Sequence, residues 1–247
     1  MKENKYDDDV FFQKYSEMDR SRRGLAGAAE WPTFQELMPD FSGKRVLDLG
    51  CGYGWHCRYA SEKGASFVLG TDLSKRMLET AIHYGGKNIQ YQKIAMEELE
   101  LESSSFDIIL SFLAFHYIED FPAMVRKIYR WLTPGGDFVF SAEHPVFTAY
   151  GPQDWYYDED GTILHFPVDR YFCQGKREAR FLGEPVVKYH RTLTTYLNTL
   201  LQEGFHLKAV TEPQPLASML DLPGMQDELR RPMMLLVAAR KKKTDEK

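Results

Sequence analysis

Residues 46–54 read Val-Leu-Asp-Leu-Gly-Cys-Gly-Tyr-Gly, and they constrain the chain more than any other stretch. Val46, Leu47 and Leu49 supply the apolar run of a short buried strand. Asp48 stands inside it, where a plain core strand would not place a charge. Gly50, Cys51, Gly52, Tyr53 and Gly54 then let the backbone turn sharply and approach something closely. A helix begins near Trp55, and its first amides have no partners within the helix. Open α/β sheets hold small ligands at such strand ends. The spacing is G-x-G-x-G, one residue shorter at the last step than the dinucleotide fingerprint G-x-G-x-x-G.

From residue 45 onward, short apolar runs alternate with helical stretches. Strands are expected over 46–49, 66–71, 89–94, 106–112 and 137–142, with helices over 55–63, 74–84 and 121–132. Ser74 is the expected N-cap of its helix. Pro134-Gly135-Gly136 stops the last of these helices. The nearly all-apolar run at 106–112 suits a central strand. Alternation of this kind predicts a parallel sheet covered by helices on both faces.

Upstream, 10–23 predicts a helix with Phe11, Tyr15 and Met18 on one stripe. It either docks on the core or lies over the ligand with Tyr15 and Arg20 reaching in. A second helix is expected over 26–37, interrupted at Trp31-Pro32 and ending before Pro39, with Pro32 nearer a helix start than a helix interior. After residue 145 the pattern breaks. Residues 146–191 are aromatic and turn-rich, with an antiparallel pair expected around 171–174 and 186–189. A helix over 193–202 and strands over 206–210 and 233–239 complete the core, the last placed antiparallel.

The chain has 247 residues, enough for one full domain plus an insertion. A net charge of −5 argues against a nucleic-acid-binding face. Cys51, Cys57 and Cys173 are odd in number and lack a metal spacing, so reduced thiols in a cytoplasmic protein are expected. Residues 1–9 are charged and carry no apolar signal core. No apolar run approaches the roughly 20 residues of a membrane helix. His56 and His83 read as isolated and exposed, and no metal site or phosphate-loop motif is apparent.

Asp72 lies 22 positions after Gly50, at the end of the second strand. A carboxylate there can accept hydrogen bonds from both hydroxyls of a ribose. Its alternative role is an N-terminal charge for the next helix.

Together, residues 46–54, Asp72, Phe106-Asp107 opening strand four and Leu132-Thr133-Pro134-Gly135-Gly136 before strand five resemble the class I S-adenosylmethionine-dependent methyltransferases. The small-molecule, type 11-like branch fits best. The resemblance is strong over about residues 40–145 and looser over the final helix and two strands. It implies a Rossmann-like α/β fold of seven strands in the order 3-2-1-4-5-7-6, with strand seven antiparallel and a lid inserted after strand five. Four units are then expected: a helical cap at 1–40, a cofactor-binding core at 41–145, a substrate lid at 146–191 and completion of the sheet at 192–247.

The resemblance implies S-adenosyl-L-methionine as cofactor. Gly50, Cys51 and Gly52 would pass its methionine part, and Asp48 would orient its amino group. Asp72 would hold the ribose, and Leu73 and Met77 would pack on the adenine. Family members often carry an Asp after strand three; Ile94, Ala95 and Met96 stand there instead. Met96 is then expected against the adenine, with Glu97 accepting from its amine or serving only as a helix charge. Ser111 and His116 lie past strand four, at the cofactor's reactive end, and are expected beside the cofactor; family members often carry a His at that place, where His116 serves either as a structural hydrogen-bonder or as a catalyst. Enzymes that methylate base amino groups carry Asn/Asp-Pro-Pro-aromatic there, and Ser111-Phe112-Leu113-Ala114 is unlike it.

Methyl transfer is an in-line displacement, so alignment does much of the work. A base is needed only where the acceptor must lose a proton. His144 and His190 are the candidates, each equally readable as a satisfied polar residue at an element end. Phe147, Tyr150, Trp155, Tyr156, Tyr157, Phe166, Tyr171 and Phe172 either line an acceptor pocket or form the insertion's own core. Arg170, Arg177 and Arg180 are available to an acidic acceptor. A small-molecule acceptor is expected, and a homodimer stays open. Two other classes remain: a nicotinamide-dependent oxidoreductase, which NADH fluorescence would reveal, and a non-catalytic cofactor-binding module, which any methyl transfer would refute.

Overall fold

Apolar residues in period-two alternation, with apolar neighbours on both sides, dictate a sheet buried on both faces. The computed structural model describes residues 4–243. Residues 1–3 and 244–247, the outer ends of the expected cap and of the terminal unit, lie outside the described residues.

In chain order, α1 (Asp9–Glu17), α2 (Asp19–Arg23) and α3 (Trp31–Glu36) precede the sheet. Next come β1 (Arg45–Leu49), α4 (Trp55–Glu62), β2 (Phe67–Asp72), α5 (Lys75–Tyr84), β3 (Ile89–Lys93), β4 (Phe106–Ser111), α6 (Phe121–Trp131) and β5 (Leu132–Glu143). The insertion holds α7 (Pro145–Ala149), β6 (Tyr156–Tyr157), β7 (Ile163–His165), β8 (Gly175–Phe181) and β9 (Glu184–His190). Finally α8 (Leu193–Glu203), β10 (Phe205–Thr211) and β11 (Met234–Lys241) return to the core.

The seven-stranded sheet runs β3-β2-β1-β4-β5-β11-β10. β11 is antiparallel to both β5 and β10, and the other pairings are parallel. This is the order and orientation expected from the sequence. Alternate residues serve opposite faces. Phe138 and Phe140 join Trp131, Phe121 and Tyr196 under α6 and α8. Val139, Leu236 and Val46 join Phe34, Cys57 and Ala60 under α3 and α4. Losing one of the buried phenylalanines to Ala would cost about 3–5 kcal/mol.

Several boundaries differ from expectation. The helix over 10–23 is two, because Met18 is extended (φ −62°, ψ 147°) between α1 and α2. The interruption expected at Trp31-Pro32 is present, since α3 starts at Trp31 with Pro32 in its first turn, but the stretch before it is a 3-10 turn at Gly24–Gly27 and not a helix. The inserted hairpin pairs β8 with β9 across a turn at residues 182–183, so its first strand begins at Gly175 and not at Tyr171. Strand five also starts early, since Leu132 pairs with Phe106 before an irregularity in the ladder.

Candidate functional site

The glycine turn is tied to the neighbouring strand rather than to itself. Gly50 and Cys51 both donate their backbone N–H to the Thr71 carbonyl, at 2.8 and 2.9 Å. Gly50 has φ +73°, and a Cβ there would lie 2.7 Å from the Ala114 Cβ. Gly52 has φ +53° and nothing within 4 Å of a Cβ position. The first glycine is therefore required by packing. The second leaves space open beside the turn.

Asp72 clamps the two sides of that space. Its Oδ2 accepts from Gly52 N at 2.9 Å, and its Oδ1 accepts from Ser74 N at 2.8 Å. Burial raises its pKa, against those two N–H bonds, which lower it. Ser74 caps α5 by accepting from Met77 N at 3.2 Å, as expected from the sequence. Behind the turn, Asp48 is fully buried. Its Oδ2 accepts from the Cys57 thiol at 3.2 Å, and its Oδ1 has no partner. Burial pushes its carboxyl up to about 7.

The N-terminal segment lies across the opening. Asp7 accepts from the Ser74 hydroxyl at 2.5 Å and from Arg76 N at 3.1 Å. Tyr6 meets the Tyr117 hydroxyl at 3.2 Å and packs edge-on against Tyr15, which packs edge-on against Tyr53. Further in, Arg20 donates to both carboxylate oxygens of Glu30 at 3.0 and 3.2 Å. His56, expected exposed, is half-buried and stacks on Phe112 at 3.2 Å. Burial, with Arg20 and Arg58, holds its pKa well below the usual imidazole range.

These elements enclose a cavity of about 690 Å³. Of the residues expected around a cofactor, Tyr15, Gly50, Cys51, Gly52, Asp72, Leu73, Met77, Ala95, Met96, Glu97 and His116 line it. Asp48 sits behind the wall. Ser111 does not line it; its hydroxyl donates to the Leu49 carbonyl at 2.8 Å, joining the ends of β1 and β4.

His144 and His190, the expected proton acceptors, lie outside the cavity lining. His144 Nδ1 accepts from Val146 N at 3.1 Å, capping α7, and its Nε2 is 2.8 Å from Glu212. His190 has Nδ1 2.8 Å from the Thr148 hydroxyl and Nε2 2.8 Å from the Tyr171 carbonyl. His190 is hydrogen-bonded at both nitrogens and His144 at Nδ1, with its Nε2 against the Glu212 carboxylate, which suits polar residues at element ends.

None of the eight aromatics at 147–172 lines the cavity either. Phe147 and Phe166 stack at 5.7 Å, Trp155 packs edge-on against Phe166, and the Arg231 guanidinium lies about 5 Å over all three. Phe172 is 88% exposed. Arg177 is bonded to the carbonyls of Ala149 and Cys173, so it braces the insertion.

The insertion reaches the cavity instead through β8 and β9, with Lys176, Phe181, Val187 and Tyr189. Glu143, at the end of β5, completes that wall. Sequence reasoning missed these residues and Tyr6. The one available signal was the proximity of Tyr189 to His190. Among the described residues, no cluster of His, Cys, Asp and Glu could hold a metal ion, and no helix is long and apolar enough to cross a membrane.

Residues 47–140 match the family described as Methyltransferase domain. The crystal structure of a proposed S-adenosylmethionine dependent methyltransferase from Listeria monocytogenes is 52% identical, covers 89% of this chain and 100% of that one, and gives a TM-score of 0.85. An S-adenosylmethionine dependent methyltransferase from Mesorhizobium loti is 44% identical, covers 88% and 100%, and gives 0.81. The ubiquinone biosynthesis O-methyltransferase of Neisseria meningitidis is 37% identical over 107 residues, which are 41% of this chain and 45% of that protein.

Proposed function

The chain belongs to the S-adenosylmethionine-dependent methyltransferases, and on that footing we propose that it methylates a small molecule held between the end of β5 and the β8–β9 hairpin. The observation that carries this is the unpartnered Asp48 Oδ1, buried beside a glycine turn whose second glycine leaves open space. A buried, orphaned carboxylate oxygen is costly unless a ligand satisfies it. From behind the turn it would orient the amino group of the cofactor's methionine part, directly or through water.

In this reading Gly50, Cys51 and Gly52 pass the methionine part, Asp72 holds the ribose, and Leu73, Met77, Ala95 and Met96 pack about the adenine. Glu97 stands at the adenine edge. Tyr6 and Tyr15 cover the opening and exclude water. S-Adenosylmethionine, when bound, supplies a methyl group already activated on a sulfonium. The protein's own task is alignment and desolvation. His144 and His190 act as structural residues.

The small-molecule acceptor is supported by the similarity to the ubiquinone biosynthesis enzyme and by an enclosed cavity shared between core and insertion. The same reading takes the chain as cytoplasmic and without a nucleic-acid or membrane partner, in keeping with its net charge of −5. A homodimer is part of the proposal, testable by light scattering.

Calorimetry on cofactor-free protein tests the core of it. Saturable binding of S-adenosylmethionine and S-adenosylhomocysteine is expected, and absence of both would refute it. Incubation of metabolite extracts with isotopically labelled cofactor would then identify the acceptor by mass.

A further inference from the structure

One part of the cavity wall has no cofactor role in the proposed function. The Glu143 carboxylate is 12% exposed and is held by two side chains from the insertion. Lys188 Nζ donates to its Oε1 at 2.5 Å, and Gln153 Nε2 donates to its Oε2 at 2.7 Å. Lys188 also donates to Gln153 Oε1 at 2.7 Å, which fixes the three groups relative to one another. Each carboxylate oxygen keeps a further lone pair.

His116 lines the same wall. It is neutral at physiological pH, because burial lowers its pKa to about 4. The Glu143 backbone N–H donates to its Nδ1 at 3.4 Å, so the ring proton sits on Nε2. Nε2 is 4.0 Å from Glu143 Oε1, too far for a direct hydrogen bond. A donor and an acceptor thus stand side by side without serving each other. A single oxygen beside the line joining them can lie ~2.8 Å from both.

The chemistry of that position is selective. A hydroxyl accepts from Nε2–H and donates to the carboxylate. A carboxylate ligand would meet the charge of Glu143, and an ether has no proton to give. An alkylammonium has no lone pair for Nε2–H. The neighbouring walls are flat: the Tyr117 ring lies 4.3 Å from the His116 ring, and the Phe181 ring lies 5.5 Å from Lys188 Nζ.

We propose that His116 and Glu143 form the subsite for an aromatic hydroxyl of the acceptor, making the protein an O-methyltransferase of phenol-type small molecules. This rests on the methyltransferase reading above. The hydroxyl oxygen forms the new bond to the methyl carbon, and the carbon–sulfur bond breaks with its electron pair left on sulfur. The hydroxyl proton passes to Glu143 Oε1. Its acidity rises as the carbon–oxygen bond forms, so a carboxylate paired with a lysine is base enough. Lys188 and Gln153 are positioning residues, since they aim the carboxylate without touching the acceptor.

The test is ligand-observed NMR on the full chain saturated with S-adenosylhomocysteine, with phenol, anisole and benzoate as probes. Phenol should bind at least tenfold more tightly than anisole or benzoate. His116→Phe should abolish that preference, as should Glu143→Leu combined with Lys188→Met, which removes both buried charges together. Phenol binding no more tightly than anisole to the wild-type protein overturns the subsite, whether or not the variants fold. Preference retained in folded His116→Phe overturns the assignment of the donor. Failure of S-adenosylhomocysteine itself to bind, measured first, instead overturns the methyltransferase reading.

Discussion

Asp7 and Ser74, 67 positions apart, are joined by a 2.5 Å hydrogen bond from the serine hydroxyl to the aspartate Oδ1. Asp7 also accepts from the backbone N–H groups of Lys75 and Arg76, so a residue from the N-terminal segment helps cap α5. The carboxylate that closes the opening and the carboxylate beneath it, Asp72, therefore share one serine.

Asp7→Ala should loosen this closure. A loss of about 1 kcal/mol is expected from the cap alone. Dissociation of S-adenosylhomocysteine, followed by stopped-flow fluorescence, should speed up at least threefold. Burial would raise the Asp7 carboxyl, but its bonds from Ser74, Arg76 and Lys75 outweigh that and hold it below its ordinary value. Its contribution is therefore present above about pH 4 and lost as pH falls through the lowered folded value. The gap in dissociation rate between wild type and Asp7→Asn should close as the pH falls through that lowered folded value.

Asp48 carries the opposite sign. Its pKa of about 7 in the fold lies above its unfolded value, so the empty protein loses stability as pH rises through that interval. Asp48→Asn should raise the melting temperature of the cofactor-free protein at pH 8, with no gain below about pH 4. Cofactor affinity should fall at least tenfold in the same variant. A melting temperature unchanged at pH 8 would contradict the burial argument.

The two glycines of the turn should separate fold from function. Gly50→Ala drives a methyl group into Ala114 and should lower the melting temperature strongly. Gly52→Ala meets no atom, so only the left-handed backbone resists it, at a cost of about 1 kcal/mol. Its main effect should be a loss of S-adenosylhomocysteine affinity of tenfold or more by calorimetry, since the new methyl occupies the open side of the turn.

Lys188→Met strands the Glu143 charge in a buried wall. A destabilisation of about 3–5 kcal/mol is expected, read by urea unfolding. Adding Glu143→Leu should restore most of it, because the pair costs desolvation that two apolar side chains do not.

The part of the cavity around the glycine turn was legible because backbone demands leave local marks. Glycines at fixed spacing, a carboxylate at a strand end and Ser74 as a helix cap all lie within residues 46–74. The part between β5 and the hairpin leaves no such mark. Glu143 and Lys188 are 45 positions apart, and only the placement of the β8–β9 hairpin against the end of β5 brings them together. His116 was legible as a position at the reactive end but not as a donor, since its tautomer depends on the Glu143 backbone. Aromatic density misled in a different way. Phe147, Trp155 and Phe166 needed burial, which Arg231 and one another provide, so their number said nothing about a ligand. The β strands were legible because burial on both faces imposes apolar runs. The break at Met18 was not, because no helix-breaking proline marks it, whereas the one before α3 was, because Pro32 marks a helix start.

The place of β11 bears on how the chain comes off the ribosome. Among the described residues it is the last strand in chain order, yet it lies between β5 and β10 in the sheet. Until it emerges, the backbone donors and acceptors on one side of β5 have no strand to pair with, and β10 has no sheet to join. The glycine turn and Asp72 belong to strands synthesised long before, so the loop that shapes the cavity precedes by about 160 residues the strand that completes the sheet.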